Sequence, residues 1–545
     1  MLVQSLHRRS MSRFLLEGRS NTIAFSSYTP TEEQARVIES TGDTKVNAVA
    51  GSGKTATLIQ YASRRPKERM LYLAFNKSVQ QEAENKFKAG GFDHVDVKTA
   101  HSLAFNGTKE AFGGKIHVKY GNYTPYDIKL IAKKELASAF DKKPSKMGEM
   151  LFGSHVLKLC SLYCNSDAES PSDVDYLGLL TNPGEISFSE KRINPIVDAA
   201  KVLLEKMSSG EIESSHDYYL KRYQLSRPKL DYDVIMFDEG QDASPAMLDV
   251  VLKQHATKLF VGDEHQQIYS FRHAKNAMRL VDCPSLPMHT SFRFGRQIAT
   301  LAKDILETKD ILFRHFQPPH IRGVKGASCN VKTRAILGRT NAALLSHAIG
   351  SIESGTKKLY FEGGFNNYRF ENSSSLYDVL NLHLGNKQRI QSKVIKQFEN
   401  VEELNEFATQ IDDPSLVSFV GIVKKYEESL FGKMNALRDS MVNSAERADL
   451  IYSTVHKAKG MEYDEVTLLE DFMSEDKLRE RFNVLEETKK IMGDSEREFY
   501  NEEINMLYVA ATRARCTLNI SKSVVPKGWK EKRTVSGVNI YKPAP

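Results

Sequence analysis

Ala48-Val49-Ala50-Gly51-Ser52-Gly53-Lys54-Thr55 lies between a short apolar run, Lys45 to Val49, and a stretch of helical character. Strand, glycine-rich turn, then helix is the context that a phosphate-cradling P-loop requires. Gly51 and Gly53 permit a tight turn that aims backbone N–H groups inward, and the helix N-terminus behind them favours an anion. Lys54 is placed to reach the β- and γ-phosphates of a nucleotide, and the Thr55 hydroxyl to ligate Mg²⁺. Ala50, Ser52 and Ala56 complete the loop. The general pattern has glycine where this chain has Ala48.

A P-loop needs a second carboxylate site for the metal. In Val234-Ile235-Met236-Phe237-Asp238-Glu239 four apolar residues make a buried strand and two acids emerge at its tip. Asp238 suits Mg²⁺ coordination, and Glu239 suits orienting or deprotonating an attacking water. Hydrolysis also builds negative charge that cations must meet, and Arg293 and Arg513 are the candidates. An arginine supplied by a second core would make nucleotide occupancy control the gap between the cores.

From this site outward, short apolar runs alternate with helical stretches, which predicts α/β units with parallel sheets. Lys45 to Val49, Met70 to Phe75, Val234 to Phe237 and Lys258 to Val261 read as buried strands with small or polar residues at their C-terminal ends, where open α/β sheets place ligands. Between about 106 and 228 the pattern changes to helices rich in Lys, Tyr and Leu. A second α/β pattern begins near Met288, is interrupted from about 346 to 447, and resumes at Leu450 to Val455.

At 545 residues the chain exceeds one hydrophobic core, and roughly 150 residues per domain predicts three or four. No run of 18 or more apolar residues exists, so no membrane span is expected. The net charge of +7 suits a polyanionic partner without establishing one. The five cysteines are scattered and offer no paired zinc-binding spacing, so reduced thiols are expected. Residues 1–27 mix Arg8, Arg9, Arg13 and Arg19 with Leu, Phe and Ser around the single acid Glu17. That composition fits a transit peptide, an N-terminal extension, or a start at Met11. The tail carries Lys527, Lys530, Lys532 and Arg533 beside Trp529, either an accessory nucleic-acid contact or a solvated face.

With these residues in place, the chain resembles the UvrD/Rep-like superfamily 1A DNA helicases, with motifs in order from Gln34 to Arg515. Within them it is most similar to the helicase core of the F-box DNA helicase family. The stretches that carry the likeness are Thr31 to Gln34, Ala48 to Thr55, Ala74 to Lys77, Thr99 to Ser102, Asp238 to Asp242, Val261 to Arg272, Ser291 to Gly295, Ile336 to Asn341, Ser453 to Glu462 and Leu507 to Arg515. The segment Phe361 to Phe370 also resembles the F-box branch, and the whole likeness spans roughly residues 28 to 522.

The resemblance implies two RecA-like P-loop cores, each carrying an inserted, mainly helical subdomain. The first core is expected at 28–105 and 229–287 with its insertion at 106–228, the second at 288–345 and 448–522 with its insertion at 346–447, and a basic tail at 523–545. It implies ATP with Mg²⁺ between the cores, Gln34 on the adenine edge, Phe292 stacked on adenine, Gln266, Arg293 and Arg513 at the γ-phosphate, Gly460 near it and Glu462 near the ribose. Asn76, Lys77, Thr99, His101, Tyr269, Phe271, Arg272, Arg339, Thr454 and His456 are implied on the DNA side, where His101 and His456 could equally be ordinary core or surface histidines.

The function implied is 3′→5′ travel on single-stranded DNA and at single/double-strand junctions, in repair, recombination or fork maintenance. Stripping of recombinase filaments or single-strand-binding proteins, and a DNA-binding scaffold gated by nucleotide, stand as alternatives. The stretch before the P-loop is too short for an F-box, so no ubiquitin-ligase role is expected, and no nuclease-like carboxylate and Lys cluster follows Arg515. The compartment implied is intracellular, mitochondrial or nuclear in a eukaryote and cytoplasmic in a bacterium.

Overall fold

The computed structural model describes residues 29–111, 117–180, 182–269, 276–326, 330–370, 376–488, 492–529 and 537–542. The first sheet is built from β1 (Thr44–Ala48), β2 (Met70–Ala74), β3 (Val95–Thr99), β4 (Val234–Phe237), β5 (Thr257–Gly262) and β6 (Ser285–Met288). They run in the order β3-β2-β4-β5-β1-β6 and every pairing is parallel. Every residue of β2 and β4 is buried, which is why both read as unbroken apolar runs rather than alternating ones. Each large apolar side chain so buried stabilises the fold by about 1.5–3 kcal/mol.

A short parallel pair follows, β7 (Thr290–Ser291) against β8 (Arg322–Gly323). The second sheet consists of β9 (Arg334–Gly338), β10 (Leu359–Phe361), β11 (Leu450–Thr454), β12 (Tyr463–Leu468), β13 (Ala514–Ser521) and β14 (Val538–Tyr541). Its order is β10-β11-β9-β12-β13-β14, again all parallel. Parallel strands present all their C-terminal ends along one edge, so the P-loop, Asp238 and the segments after β3, β5, β9 and β11 line the same side of each sheet.

Helices fill the connection between β3 and β4, where Lys146–Asn165 and Ile193–Ser209 pack around a separate core of Phe152, Val156, Leu159, Ala200 and Leu203. A further helical group lies between β10 and β11, in Leu376–His383, Val401–Gln410, Pro414–Tyr426 and Ser429–Asp439. The two groups touch: Met150 and Leu151 join the second group's core, and Asn182 Nδ2 donates to Thr409 O at 3.0 Å. No described helix is long and apolar enough to cross a membrane.

The structure differs from expectation at three places. Leu359–Phe361 falls within 346–447, yet it extends the second sheet. The run is three residues long with alternate burial, too short to stand out. Val538–Tyr541 lies in the expected tail but pairs in register with Leu518–Ser521. Cys160, Cys164 and Cys283 are free, whereas Cys516 is disulfide-bonded, so uniformly reduced thiols do not hold. Residues 1–27 and Lys530, Lys532 and Arg533 lie outside the described residues.

Candidate nucleotide and nucleic-acid site

The P-loop leaves β1 and enters the helix Lys54–Ser63 through two glycines at positive φ, Gly51 at 76° and Gly53 at 83°. A Cβ on Gly51 would lie 2.6 Å from Arg293 Cβ and 2.7 Å from Ser291 Oγ, so the loop and the 291–293 segment fit only around glycine. Thr31 and Gln34 form a reciprocal capping box on Glu32–Glu39. The same Gln34 amide donates to Ser52 O at 3.0 Å and so holds the loop. The Ser52 hydroxyl is buried with no hydrogen-bond partner among the described residues, an acceptor-seeking group that a phosphate oxygen would satisfy.

Two carboxylates face this loop. Lys54 Nζ lies 3.0 Å from Glu239 Oε1. Burial lowers the Lys54 pKa, but Glu239, Asp238 and Asp263 outweigh it and leave the ammonium raised. Glu239 occupies the left-handed region at φ 52°, a strained position of the kind that clusters at active sites. Burial would raise its carboxyl, yet Lys54, Lys459 and the Gln241 amide hold it well below the usual range, so it is ionised. Asp238 moves the other way, raised by burial and by the Glu239 charge. The Tyr72 hydroxyl donates to Asp238 Oδ2 and the Glu239 N–H to Oδ1.

Thr55 and Asp238 are the groups that fit Mg²⁺. One hydroxyl and one carboxylate suit this ion, which takes few protein ligands and completes its shell with water and substrate phosphates. Among the described residues there is no cluster of three or more His, Cys, Asp or Glu that could hold a metal ion. When bound, Mg²⁺ would neutralise phosphate charge.

The segment after β5 links these carboxylates to the second core. Asp263 Oδ2 accepts from Gln266 Nε2 at 2.8 Å and from the Tyr508 hydroxyl at 2.9 Å. Arg513 Nη2 lies 3.4 Å from Gln266 Oε1, and its guanidinium, 1 % exposed, is lowered to about 9 by burial and by Arg293. Lys459 pairs with Asp242 and donates to Gln266 O at 2.6 Å. Asp242, raised to about 6 chiefly by burial, sits under that ammonium. Arg293 Nε binds Glu462 Oε2 at 2.9 Å and Nη1 donates to Thr512 O at 3.1 Å. Phe292 is 47 % exposed while its N–H donates to Gly51 O, which leaves its ring exposed beside the loop. Gly460, at φ 87°, faces open space.

Of the residues expected on the nucleic-acid side, Asn76 caps Lys77–Ala89 from an exposed position with Lys77 exposed next to it. Thr99 and Ser102 bond reciprocally and leave His101 half-exposed, 3.7 Å from Asp217. Tyr269 is not presented to solvent: it is 8 % exposed, stacked on Phe75 at 5.0 Å, and donates to His456 O at 2.8 Å. His456 Nε2 meets Ile268 O at 2.9 Å, and Thr454 is buried as the cap of Val455–Ala458. Arg339 Nε reaches both oxygens of buried Glu503, at 2.9 and 2.7 Å. Phe271 and Arg272 lie outside the described residues.

Comparison with known proteins agrees with this arrangement. Residues 30–281 match the model of the UvrD/REP helicase N-terminal domain. The F-box DNA helicase 1 of Gallus gallus is 32% identical over 520 residues, which covers 91% of this chain. The chain is UvrD-like.

It also matches the F-box DNA helicase protein 1 of Schizosaccharomyces pombe at 26% identity over 531 residues. This UvrD-like chain spans about half the length of the curated relatives it matches, 49% and 57%. Among the residues of the site absent from the expected set are Tyr72, Gln241, Asp242, Asp263, Lys459 and Tyr508. A phenol inside the apolar strand β2, and another five residues before Arg513, are the signals that could have found two of them. In a UvrD-like site built this way, Gly51→Ala faces a left-handed penalty of about 1–2 kcal/mol and overpacking against Arg293 of about 1–3 kcal/mol. Nucleotide binding, measured by fluorescence titration, is expected to weaken by at least about tenfold.

Proposed function

We propose that this chain is an ATP-driven DNA helicase that moves 3′→5′ along single-stranded DNA. The observation that carries the reading is one continuous set of contacts. It runs from the P-loop carboxylates through Gln241 and Asp263 to Gln266, and on to Lys459, Tyr508 and Arg513 of the second core. A nucleotide in that cleft would touch both cores at once, so binding and loss of ATP would change how they meet. Ionised Glu239 orients the attacking water, while Arg293 and Arg513 meet the charge that develops on the transferred phosphoryl group. Exposed Asn76, Lys77 and His101 on the same sheet edge offer phosphate and base contacts without sequence preference. The two relatives, both named as DNA helicases, support the substrate class.

Single/double-strand junctions are the substrate on which such a motor does useful work, and recombinase or single-strand-binding proteins are the obstacles it would meet. The test is strand displacement from duplexes with a 3′ or a 5′ single-stranded tail. Displacement from the 3′-tailed duplex alone is the expected result, and displacement from the 5′-tailed duplex alone contradicts the polarity. ATP turnover without displacement, but with release of a bound recombinase, would favour protein stripping. Oligonucleotide affinity is expected to fall by about 10²–10⁴ between 50 and 200 mM salt if six or more phosphates are contacted.

A further inference from the structure

A buried lysine packs against the segment Asp263–Gln267. Lys309 sits in the turn Thr308–Ile311 that follows the helix Arg296–Glu307 and is fully buried. Its ammonium donates to Asn505 Oδ1 at 2.6 Å and to His265 Nδ1 at 3.1 Å. Acceptance at Nδ1 requires a neutral imidazole, and burial together with the Lys309 charge pushes His265 well below its ordinary pKa. Phe316 and Tyr508 hold the His265 ring edge to face at 5.8 and 6.4 Å. Asn505 uses its other end to donate to Gln267 O at 2.9 Å.

Lys309 and Asn505, both from the second half of the chain, therefore grip the residues on either side of Gln266. Both partners of the ammonium are neutral, and Arg279, Glu264, Asp263 and Glu498 act on it only through space. Taking a cation out of water for two neutral acceptors is unfavourable, and methionine would fill the volume without that penalty. Were His265 and Asn505 to part, water would resolvate the ammonium. A contact offset by its own desolvation suits an interface that opens in every cycle.

We infer that Lys309 is a positioning residue which, with Asn505 and His265, ties the placement of Gln266 to engagement of the second core. This rests on the motor reading above, and it assigns the coupling to residues that touch neither nucleotide nor DNA.

The test uses Lys309→Met and, separately, Asn505→Ala in the full chain. DNA-free ATP hydrolysis is expected to stay within about twofold of wild type, while stimulation by oligo-dT falls at least about fivefold through kcat. A pH series adds a readout that packing alone would not move. Burial and Arg279 lower Lys309 to about 7 from 10.5. Above about pH 7 engagement therefore releases a proton and leaves a neutral amine that can still donate to both acceptors, and engagement is favoured as pH rises from about 7. Apparent ATP affinity is expected to tighten with pH more in wild type than in Lys309→Met.

Stimulation within about twofold of wild type in both folded variants overturns the inference, and Asn505→Ala decides alone if Lys309→Met does not fold. Wild-type protein that hydrolyses ATP without any DNA stimulation overturns the motor reading itself, a result distinguishable from failure of the variants.

Discussion

A Glu239→Gln chain is expected to bind ATP almost as tightly as wild type and to hydrolyse it about 10²–10⁴-fold more slowly, the range that a positioned acid–base group contributes. The carboxylate stands 3.0 Å from Lys54, and Lys54, Lys459 and Gln241 keep it ionised against the cost of burial. The amide has the same shape and still receives the Lys54 ammonium, but it cannot take a proton from water. Asp238, with its Tyr72 hydrogen bond, is untouched by the change, so phosphate and metal binding should persist. Single-turnover hydrolysis beside fluorescent-nucleotide binding checks this. Turnover within about threefold of wild type would remove Glu239 from the chemistry.

Arg293→Ala carries the second large effect, a loss of about 10³-fold or more in kcat with little change in the melting temperature. Its guanidinium is held at the cleft by Glu462 and Thr512 O, and its backbone packs against Gly51 of the P-loop. A cation so placed can leave Glu462 for the γ-phosphate without a rearrangement of the strands around it. Arg513 gives a less clean experiment. It is buried and bonded to Val509 O and Gln266, so its removal would disturb packing as well as charge. Steady-state kinetics with a thermal melt separates the two cases: Arg293→Ala should lose kcat alone, and equal loss of stability would argue for a structural arginine.

The P-loop, the Asp238–Glu239 tip and the strands that carry them were legible because a parallel strand buried on both faces writes a continuous apolar run. The acids at the end of such a run stand out. Partnerships between the cores were not legible. Tyr508 with Asp263 and Lys309 with His265 join residues 245 and 44 positions apart, and no local periodicity encodes which side chains meet there. The same blindness explains Tyr269 and Arg339. Their motifs place them near DNA, but only the fold shows Phe75 and His456 closing over one and Glu503 holding the other. Leu359–Phe361 escaped for a different reason, since three residues cannot establish an alternation.

The central claim is that this chain couples ATP turnover to single-stranded DNA. The direct measurement is ATP hydrolysis by purified protein as single-stranded DNA is titrated, with Glu239→Gln as the control. The account predicts stimulation of at least about tenfold, absent from the control. A folded, ATP-binding chain whose turnover is unchanged by DNA would contradict it.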